Sequence, residues 1–230
     1  MKKLGLVGGT SWISTIDYYR FINEGINETL GGLNFAELII YSINFNEYQQ
    51  NNTAGNWNAT YELLHKASES LKSSGAEAIV LCANTSHAVA NRLEATIDLP
   101  IIHIVTAVAQ EINKRGMKKV GLIGTKFTME MDFYKEKLRG NGIEAIVPAS
   151  PDIRDFMQYR IKEEMGKGVF TQETNQFFIS IMNDLVKEGA EGIILGCTEL
   201  PLLINQEDIK VPVFDTTKIH AKAAVKFALS

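Results

Sequence analysis

Two apolar sequence segments each occur twice in this chain, about half its length apart. Residues 75–85 match residues 189–199 with an offset of 114, and residues 4–8 match residues 120–124 with an offset of 116. Each segment contains a short apolar run rich in β-branched residues, which is typical of a buried parallel strand. Because predicted helices alternate with these strands, we expect an α/β protein of two pseudo-symmetric domains, each a parallel sheet flanked by helices. We place the first domain at residues 1–98 plus 212–230 and the second at residues 99–211, with the active site in the interdomain cleft.

The composition favours a small-molecule partner over nucleic acid or a membrane. The 230 residues carry a formal net charge of −4 with acidic and basic side chains interspersed, so no basic surface for nucleic acid is expected. No run approaches the roughly 18 apolar residues of a membrane span. The two cysteines lack metal-type spacing, and such sparse use suits a reducing compartment. We therefore expect a cytoplasmic protein with free thiols and no metal site.

In the second copy of the longer segment, the apolar run is followed by a cysteine. Residues 189–195 have the pattern of a buried strand, and Cys197 follows at its carboxyl end, where ligands collect in open α/β sheets. We expect the next helix to begin there, so that its free N–H groups bind an anionic substrate and make the Cys197 thiol ionise more easily. The alternatives are a small buried hydrophobic residue for Cys197 and an ordinary first-turn residue for Glu199.

Such a strand end suits proton transfer at carbon. A carbon acid is weak, so the site must hold the substrate carboxylate with N–H and hydroxyl donors while a thiolate removes the proton. Asn84, Thr85 and Thr198 are suitable donors, because they follow the two copies of the same predicted strand.

Other local patterns predict the helices, strands and loops around these strand ends. Ser14 or Thr15 is expected to cap the first helix, and residues 101–105 are expected to form a strand after Pro100. Residues 44–58 are rich in Asn and Gln and are expected to form a long loop, either an active-site lid or an ordinary surface loop.

Three motifs together resemble the aspartate/glutamate racemases that act without pyridoxal phosphate. They are G-G-x-S-W-x-S-T at residues 8–15, N-T-x-H at residues 84–87 and G-C-T-E-L at residues 196–200. The resemblance extends over nearly the whole chain and is nearest to the broad-specificity amino-acid racemases. It implies two pseudo-symmetric α/β domains, an interdomain site, a homodimer, an amino-acid substrate, no cofactor and no metal. It also implies that one cysteine removes the α-proton and that another returns a proton from the opposite face.

The resemblance assigns roles residue by residue. Cys197 matches one catalytic cysteine, with Glu199 beside it, and His87 matches the histidine of the N-T-x-H motif. Lys167 matches the position of a lysine for the substrate side-chain carboxylate. The implied substrate-binding positions are Thr10, Ser11, Asn84, Thr85, Thr125, Lys167, Thr198 and Glu199.

The other catalytic cysteine of the family has no match. Members read C-N-T-x-H, whereas here Ala83 precedes Asn84 and the cysteine stands one residue earlier, at Cys82. The internal repeat shows the same shift, because Cys82 aligns with Gly196 and Ala83 aligns with Cys197. Cys82 is kept as a candidate second catalytic residue, although side-chain alternation along a strand predicts that it faces away from the site.

The expected function is therefore an amino-acid racemase acting without a cofactor, on aspartate, glutamate or a broader range. Residues 46–53 lack the arginine that aspartate-specific members carry, so the preferred amino acid stays open. One alternative is a single-cysteine isomerase or decarboxylase of a small carboxylate. Another is a catalytically inactive relative that only binds an amino acid.

Overall fold

The computed structural model describes residues 1–230, which divide into two compact units. The first unit consists of Met1–Ala107 and Thr217–Ser230, and the second is Val108–Thr216. The sequence prediction put the boundaries at 98/99 and 211/212, which is somewhat earlier in each case than the observed 107/108 and 216/217. No helix of the chain is both long enough and apolar enough to cross a membrane.

Strands and helices alternate along most of the chain. The strands are β1 (Leu4–Gly8), β2 (Leu38–Ser42), β3 (Ala78–Leu81), β4 (Lys119–Gly124), β5 (Glu144–Ile146), β6 (Ile193–Gly196) and β7 (Val213–Asp215). The helices are α1 (Trp12–Leu30), α2 (Phe45–Thr53), α3 (Trp57–Ser73), α4 (Ala90–Ile97), α5 (Ile104–Lys114), α6 (Lys126–Glu130), α7 (Asp132–Arg139), α8 (Pro151–Glu163), α9 (Gln172–Lys187) and α10 (Thr216–Ala228). Four short 3-10 helices lie at Thr85–Val89, Met165–Lys167, Leu200–Leu202 and Gln206–Asp208.

In the first unit, β1 is the middle strand of a parallel sheet in the order β2-β1-β3. Every residue of β1 is buried, as its uninterrupted apolar run predicts. One face of the sheet forms a core with α1 and α10, and the other forms a core with α3 and α4. Because helices cover both faces, the carboxyl ends of the strands are the place left for functional side chains.

The second unit contains four parallel strands in the order β5-β4-β6-β7. Strands β4 and β6 pair so that Gly124 lies opposite Gly196. A Cβ atom at Gly196 would stand only 2.9 Å from Cγ2 of Thr128 and 3.0 Å from the carbonyl oxygen of Ile123. Glycine is therefore required where β6 ends, and the first position open to a larger side chain is Cys197. Close packing at Gly196 therefore explains why the cysteine of the second copy stands one position later than Cys82 of the first copy.

The predicted strand at residues 101–105 is wrong. Only Ile101 pairs with the first sheet, through an isolated parallel bridge to Ile79, because α5 already begins at Ile104. In the second unit the corresponding place beside Ile193 is taken by a complete strand, β7. The two sheets are therefore similar but not equal in width.

The predicted loop at residues 44–58 is also wrong, because α2 and α3 occupy most of it. Asn44 and Asn56 cap these helices with their side chains. Tyr48 and Asn52 are buried on one side of α2, so tertiary packing outweighs the low helix propensity of the asparagines. The segment is an ordered helix and not a loop.

The first helix begins earlier than predicted. Ser11 caps α1, and the hydroxyls of Ser14 and Thr15 donate to its carbonyl oxygen at 3.1 and 2.8 Å. The two predicted cap residues therefore lie inside the first turn. Thr15 also accepts a hydrogen bond from the N–H of Gly9 at 3.0 Å, which fastens α1 to the end of β1.

Candidate active site

Cys197 stands immediately after β6, at the carboxyl end of the second sheet. The strand is completely buried between β4 and β7, and its side chains alternate between the two faces. Cys197 belongs to the same apolar cluster as Leu195, and its side chain is only 5% exposed. The thiol is therefore almost withdrawn from water and yet lies at the edge where ligands bind in α/β sheets.

A carboxylate shares this pocket with the thiol. The Cys197 Sγ donates to Oε2 of Glu199 at 2.9 Å, and the hydroxyl of Thr198 donates to the same oxygen at 3.0 Å. All three residues are buried. Glu199 is therefore not the exposed first-turn residue that a helix start would give, because its carboxylate turns back to Cys197.

The expectation that Cys197 ionises easily is wrong. Burial raises the pKa of the Cys197 thiol well above its ordinary value, and the Glu199 carboxylate raises the pKa further. The N–H groups of Glu199 and Leu200 lower the pKa, but they are outweighed. The α-helix expected after the strand is absent, because residues 200–202 form only a short 3-10 helix with Pro201 in its first turn. The surroundings of Cys197 therefore favour the protonated thiol over the thiolate.

Thr125 lies at the end of the neighbouring strand. It follows Gly124, which pairs with Gly196, so Thr125 and Cys197 leave adjacent strands at the same edge of the sheet. Thr125 caps α6, its hydroxyl accepting from the N–H of Thr128 at 3.2 Å. The structure thus brings together Thr125, Cys197, Thr198 and Glu199 in the second unit.

The first unit has an equivalent corner, formed where β1 and β3 end side by side. Ala83 stands at the position that corresponds to Cys197. Cys82 packs in the apolar core with Val80 and Tyr18, and is fully buried. Burial raises the pKa of its thiol, whose nearest polar contact is the carbonyl oxygen of Val80 at 3.7 Å. Cys82 thus faces the core, as strand alternation predicts, and has the surroundings of a structural residue.

Thr10 and Ser11 follow β1 at this corner, but they differ in their contacts. The hydroxyl of Ser11 is used in capping α1. Thr10 is 7% exposed, and its hydroxyl makes no hydrogen bond within the chain. A buried hydroxyl without a partner costs free energy unless something else binds it. Thr10 is thus the better placed of the two to bind a ligand.

Asn84 and Thr85 follow β3 and are both buried. Thr85 begins the 3-10 helix Thr85–Val89. The hydroxyl of Ser86, the second residue of this helix, lies 3.0 Å from the hydroxyl of Tyr48. Tyr48 was not predicted to belong to the site. Burial raises the pKa of Tyr48 to about 12, so it is a neutral hydrogen-bonding group that ties α2 to this corner. The available signal was the spacing of Phe45, Tyr48 and Asn52 on one helical face.

Lys167 is an exposed residue that pairs with a nearby carboxylate. It ends the short 3-10 helix Met165–Lys167, its side chain is 64% exposed, and its Nζ pairs with Oε2 of Glu163 at 2.6 Å. Trp12, in the first motif, is 68% exposed at the first position of α1. Both residues have the surroundings of surface groups.

Comparison with known proteins identifies the family. The family model described as Asp/Glu/Hydantoin racemase matches residues 7–224. The broad-specificity amino-acid racemase RacX of Bacillus subtilis is 25% identical over 162 residues, which are 70% of this chain and 68% of that protein.

Two crystal structures cover this chain completely and are covered completely by it. A candidate Asp/Glu racemase from Yersinia pestis is 45% identical with a TM-score of 0.92. An aspartate racemase homologue from Pyrococcus horikoshii is 39% identical with a TM-score of 0.85. The chain therefore belongs to the Asp/Glu/Hydantoin racemase family, and with it to the isomerases.

Proposed function

We propose that this protein is an amino-acid racemase that moves the α-proton of its substrate with Cys197 as acid and base, independently of pyridoxal phosphate. The observation that carries the proposal is the 2.9 Å contact between the Cys197 thiol and the Glu199 carboxylate at the carboxyl end of β6. The names of the relatives support an amino-acid substrate, with aspartate, glutamate or a broader range as the candidates.

The contact with Glu199 allows the thiol to act in both directions. As a protonated thiol, Cys197 can give its proton to a carbanion at the α-carbon, and a thiolate remains. For the reverse step, the thiol first passes its proton to Glu199, and the resulting thiolate then takes the α-proton. The electron pair of the broken C–H bond stays on the substrate, where hydrogen bonds to the substrate carboxylate stabilise it.

The substrate carboxylate is assigned to the hydroxyl and amide donors at the strand ends. We include Thr10, Asn84, Thr85, Thr125 and Thr198, and Thr10 has the clearest support, because its buried hydroxyl makes no hydrogen bond within the chain. Lys167 is left out, because it is exposed and paired with Glu163. That the strand ends of both units act on one substrate remains a prediction from the duplication. The homodimer and the cytoplasmic location also remain predictions.

Ala83 favours a second candidate, a relative that binds an amino acid without turning it over. The position that corresponds to Cys197 in the first unit holds a methyl group, and Cys82 faces the core. Without a proton donor on the opposite face, Cys197 can only exchange the α-proton on its own face, without inversion. If Cys197 is inactive as well, the protein binds the amino acid without any exchange, and this is the second candidate. Single-sided exchange, racemisation and simple binding are distinguishable by experiment.

The test is a panel of L- and D-amino acids incubated with the purified protein in deuterium oxide. Proton NMR measures loss of the α-proton signal, and chiral chromatography measures inversion. We expect α-deuterium incorporation from at least one enantiomer of aspartate, glutamate or another amino acid in the panel.

Two cysteine variants provide the matched control. Cys197→Ser should abolish exchange, whereas Cys82→Ala should keep it. Exchange that survives in Cys197→Ser would refute the role of Cys197. Calorimetric binding of an amino acid without any exchange would favour the second candidate.

A further inference from the structure

His87 ends the N-T-x-H motif, and both of its ring nitrogens make hydrogen bonds. The ring is 2% exposed. The backbone N–H of Ile104 donates to Nε2 at 3.1 Å, so Nε2 carries the lone pair. The hydrogen must then reside on Nδ1, which donates to the carbonyl oxygen of Ala83 at 3.0 Å. The contacts thus fix a single neutral tautomer of the imidazole.

The surroundings of the ring keep it in that form. Burial lowers the pKa of His87 well below its ordinary value, and the nearby His103 and His220 lower the pKa further. Their ring centroids lie 4.6 and 5.4 Å from that of His87. Although three histidines meet here, no group of side chains in the chain is arranged to hold a metal ion.

The carbonyl that His87 binds belongs to the corner itself. Ala83 is the residue that corresponds to Cys197, and Asn84 and Thr85 follow it directly. The backbone N–H of His87 donates to the carbonyl oxygen of Asn84 at 3.1 Å, so ring and main chain hold two successive peptide groups. On its other side the ring accepts a hydrogen bond from the backbone N–H of Ile104, the first residue of α5.

We propose that His87 is a positioning residue that fixes the backbone at Ala83 and Asn84, and thereby aims the donors of Asn84 and Thr85 at the substrate carboxylate. This inference rests on the proposed function. Because a displacement of about 1 Å in a catalytic constellation can cost on the order of 10²-fold in rate, the tether to Ala83 should affect turnover and not only stability.

Two substitutions distinguish the hydrogen bond of His87 to Ala83 from its hydrogen bond to Ile104. In His87→Asn the side-chain amide can still donate to the Ala83 carbonyl, but it no longer reaches Ile104. In His87→Gln the longer side chain can accept from the Ile104 N–H, but it loses the short approach to Ala83. We expect His87→Asn to keep the α-proton exchange rate within about 3-fold, and His87→Gln to lose roughly 10- to 100-fold in kcat.

A matched control comes from the same cluster. His103 caps α5 by accepting from the Val105 N–H at 3.2 Å, and Asn is also a good cap, so His103→Asn should leave the exchange rate unchanged. Equal losses of rate in His87→Asn and His87→Gln, in proportion to their losses of stability, would overturn the proposal and leave only a structural role.

The tautomer gives a readout that does not depend on catalysis. Nitrogen-15 NMR of the histidine side chains should show a protonated Nδ1 and an unprotonated Nε2 for His87 from pH 8 to pH 5. The backbone amide signals that move in His87→Gln should centre on residues 83–85 and should move less in His87→Asn. A protonated Nε2, or amide changes spread evenly over the first unit, would overturn the inference even if no exchange is found for the native protein. Absence of exchange with the expected NMR pattern would instead count against the proposed function alone.

Discussion

His220 should make the first unit sensitive to mild acid. The side chain lies on α10 and is fully buried, with Nδ1 2.8 Å from the hydroxyl of Tyr18 and Nε2 2.5 Å from the carbonyl oxygen of Ile102. Burial lowers the pKa of His220 from its ordinary value of 6.5 to about 4. The unfolded chain therefore takes up a proton at a higher pH than the folded chain does, and stability falls as the pH falls from about 6.5 towards 4.

The size of this effect follows from the two pKa values. At pH 7 both forms of His220 are largely neutral. At pH 5 the residue is almost fully protonated in the unfolded chain and largely neutral in the folded one, which corresponds to a loss of about 2 kcal/mol. Carboxylates whose folded pKa is lowered, such as Glu191, lose their contribution only below the unfolded value of about 4.3, so they interfere little at pH 5.

Tryptophan fluorescence during urea unfolding can measure this loss, because Trp12 and Trp57 both lie in the first unit. We expect the free energy of unfolding to fall between pH 7 and pH 5 by about 2 kcal/mol more in the native protein than in His220→Gln. His65→Gln, a change at a partly exposed histidine of α3, is the control for the effect of a histidine substitution on unfolding itself. The same pH dependence in His220→Gln as in the native protein would refute the reasoning.

The other predictions concern the candidate site. Cys197→Ser should abolish α-proton exchange and change the free energy of unfolding by less than about 1 kcal/mol, and an active variant seen by NMR would contradict it. Glu199→Gln should lower the pKa of the Cys197 thiol, because the carboxylate raises it; alkylation followed against pH should then begin at lower pH than in the native protein. Ala83→Cys should increase two-way racemisation, because a missing acid or base typically costs roughly 10²–10⁴-fold; chiral chromatography of both enantiomers measures it. If Ala83→Cys has no effect while Cys82→Ala removes activity, Cys82 is the second base.

The strands and the duplication were predictable because burial on both faces produces uninterrupted apolar runs. β1, β3, β4 and β6 all lie where such runs occur. The offset between Cys82 and Cys197 was also visible, but its cause was not. That cause is the close approach of β4 and β6 at Gly124 and Gly196, which depends on strand pairing and on the position of Thr128.

The ionisation of Cys197 could not be predicted from local pattern. Gly-Cys-Thr-Glu after a strand suggested a helix N-terminus, but Pro201 and the short 3-10 helix at Leu200–Leu202 replace it. The approach of the Glu199 carboxylate to the thiol is a tertiary property of that turn. For the same reason the helix α2 was missed, since packing of Tyr48 and Asn52 decides it and not the propensity of its asparagines.

The division of the chain also sets an order for folding during synthesis. The core that β1 forms with α1 needs Ala221, Ala224 and Val225 of α10, and the whole second unit is made before α10 emerges. At about 5–20 residues per second, the ribosome takes roughly 5 to 20 seconds to make the intervening segment. During that time the face of the first sheet that packs against α1 and α10 lacks the contacts of α10. The second unit is continuous in sequence and can already be complete. The first half to be translated is therefore the last to fold, and it is the half that a nascent-chain chaperone would have to protect.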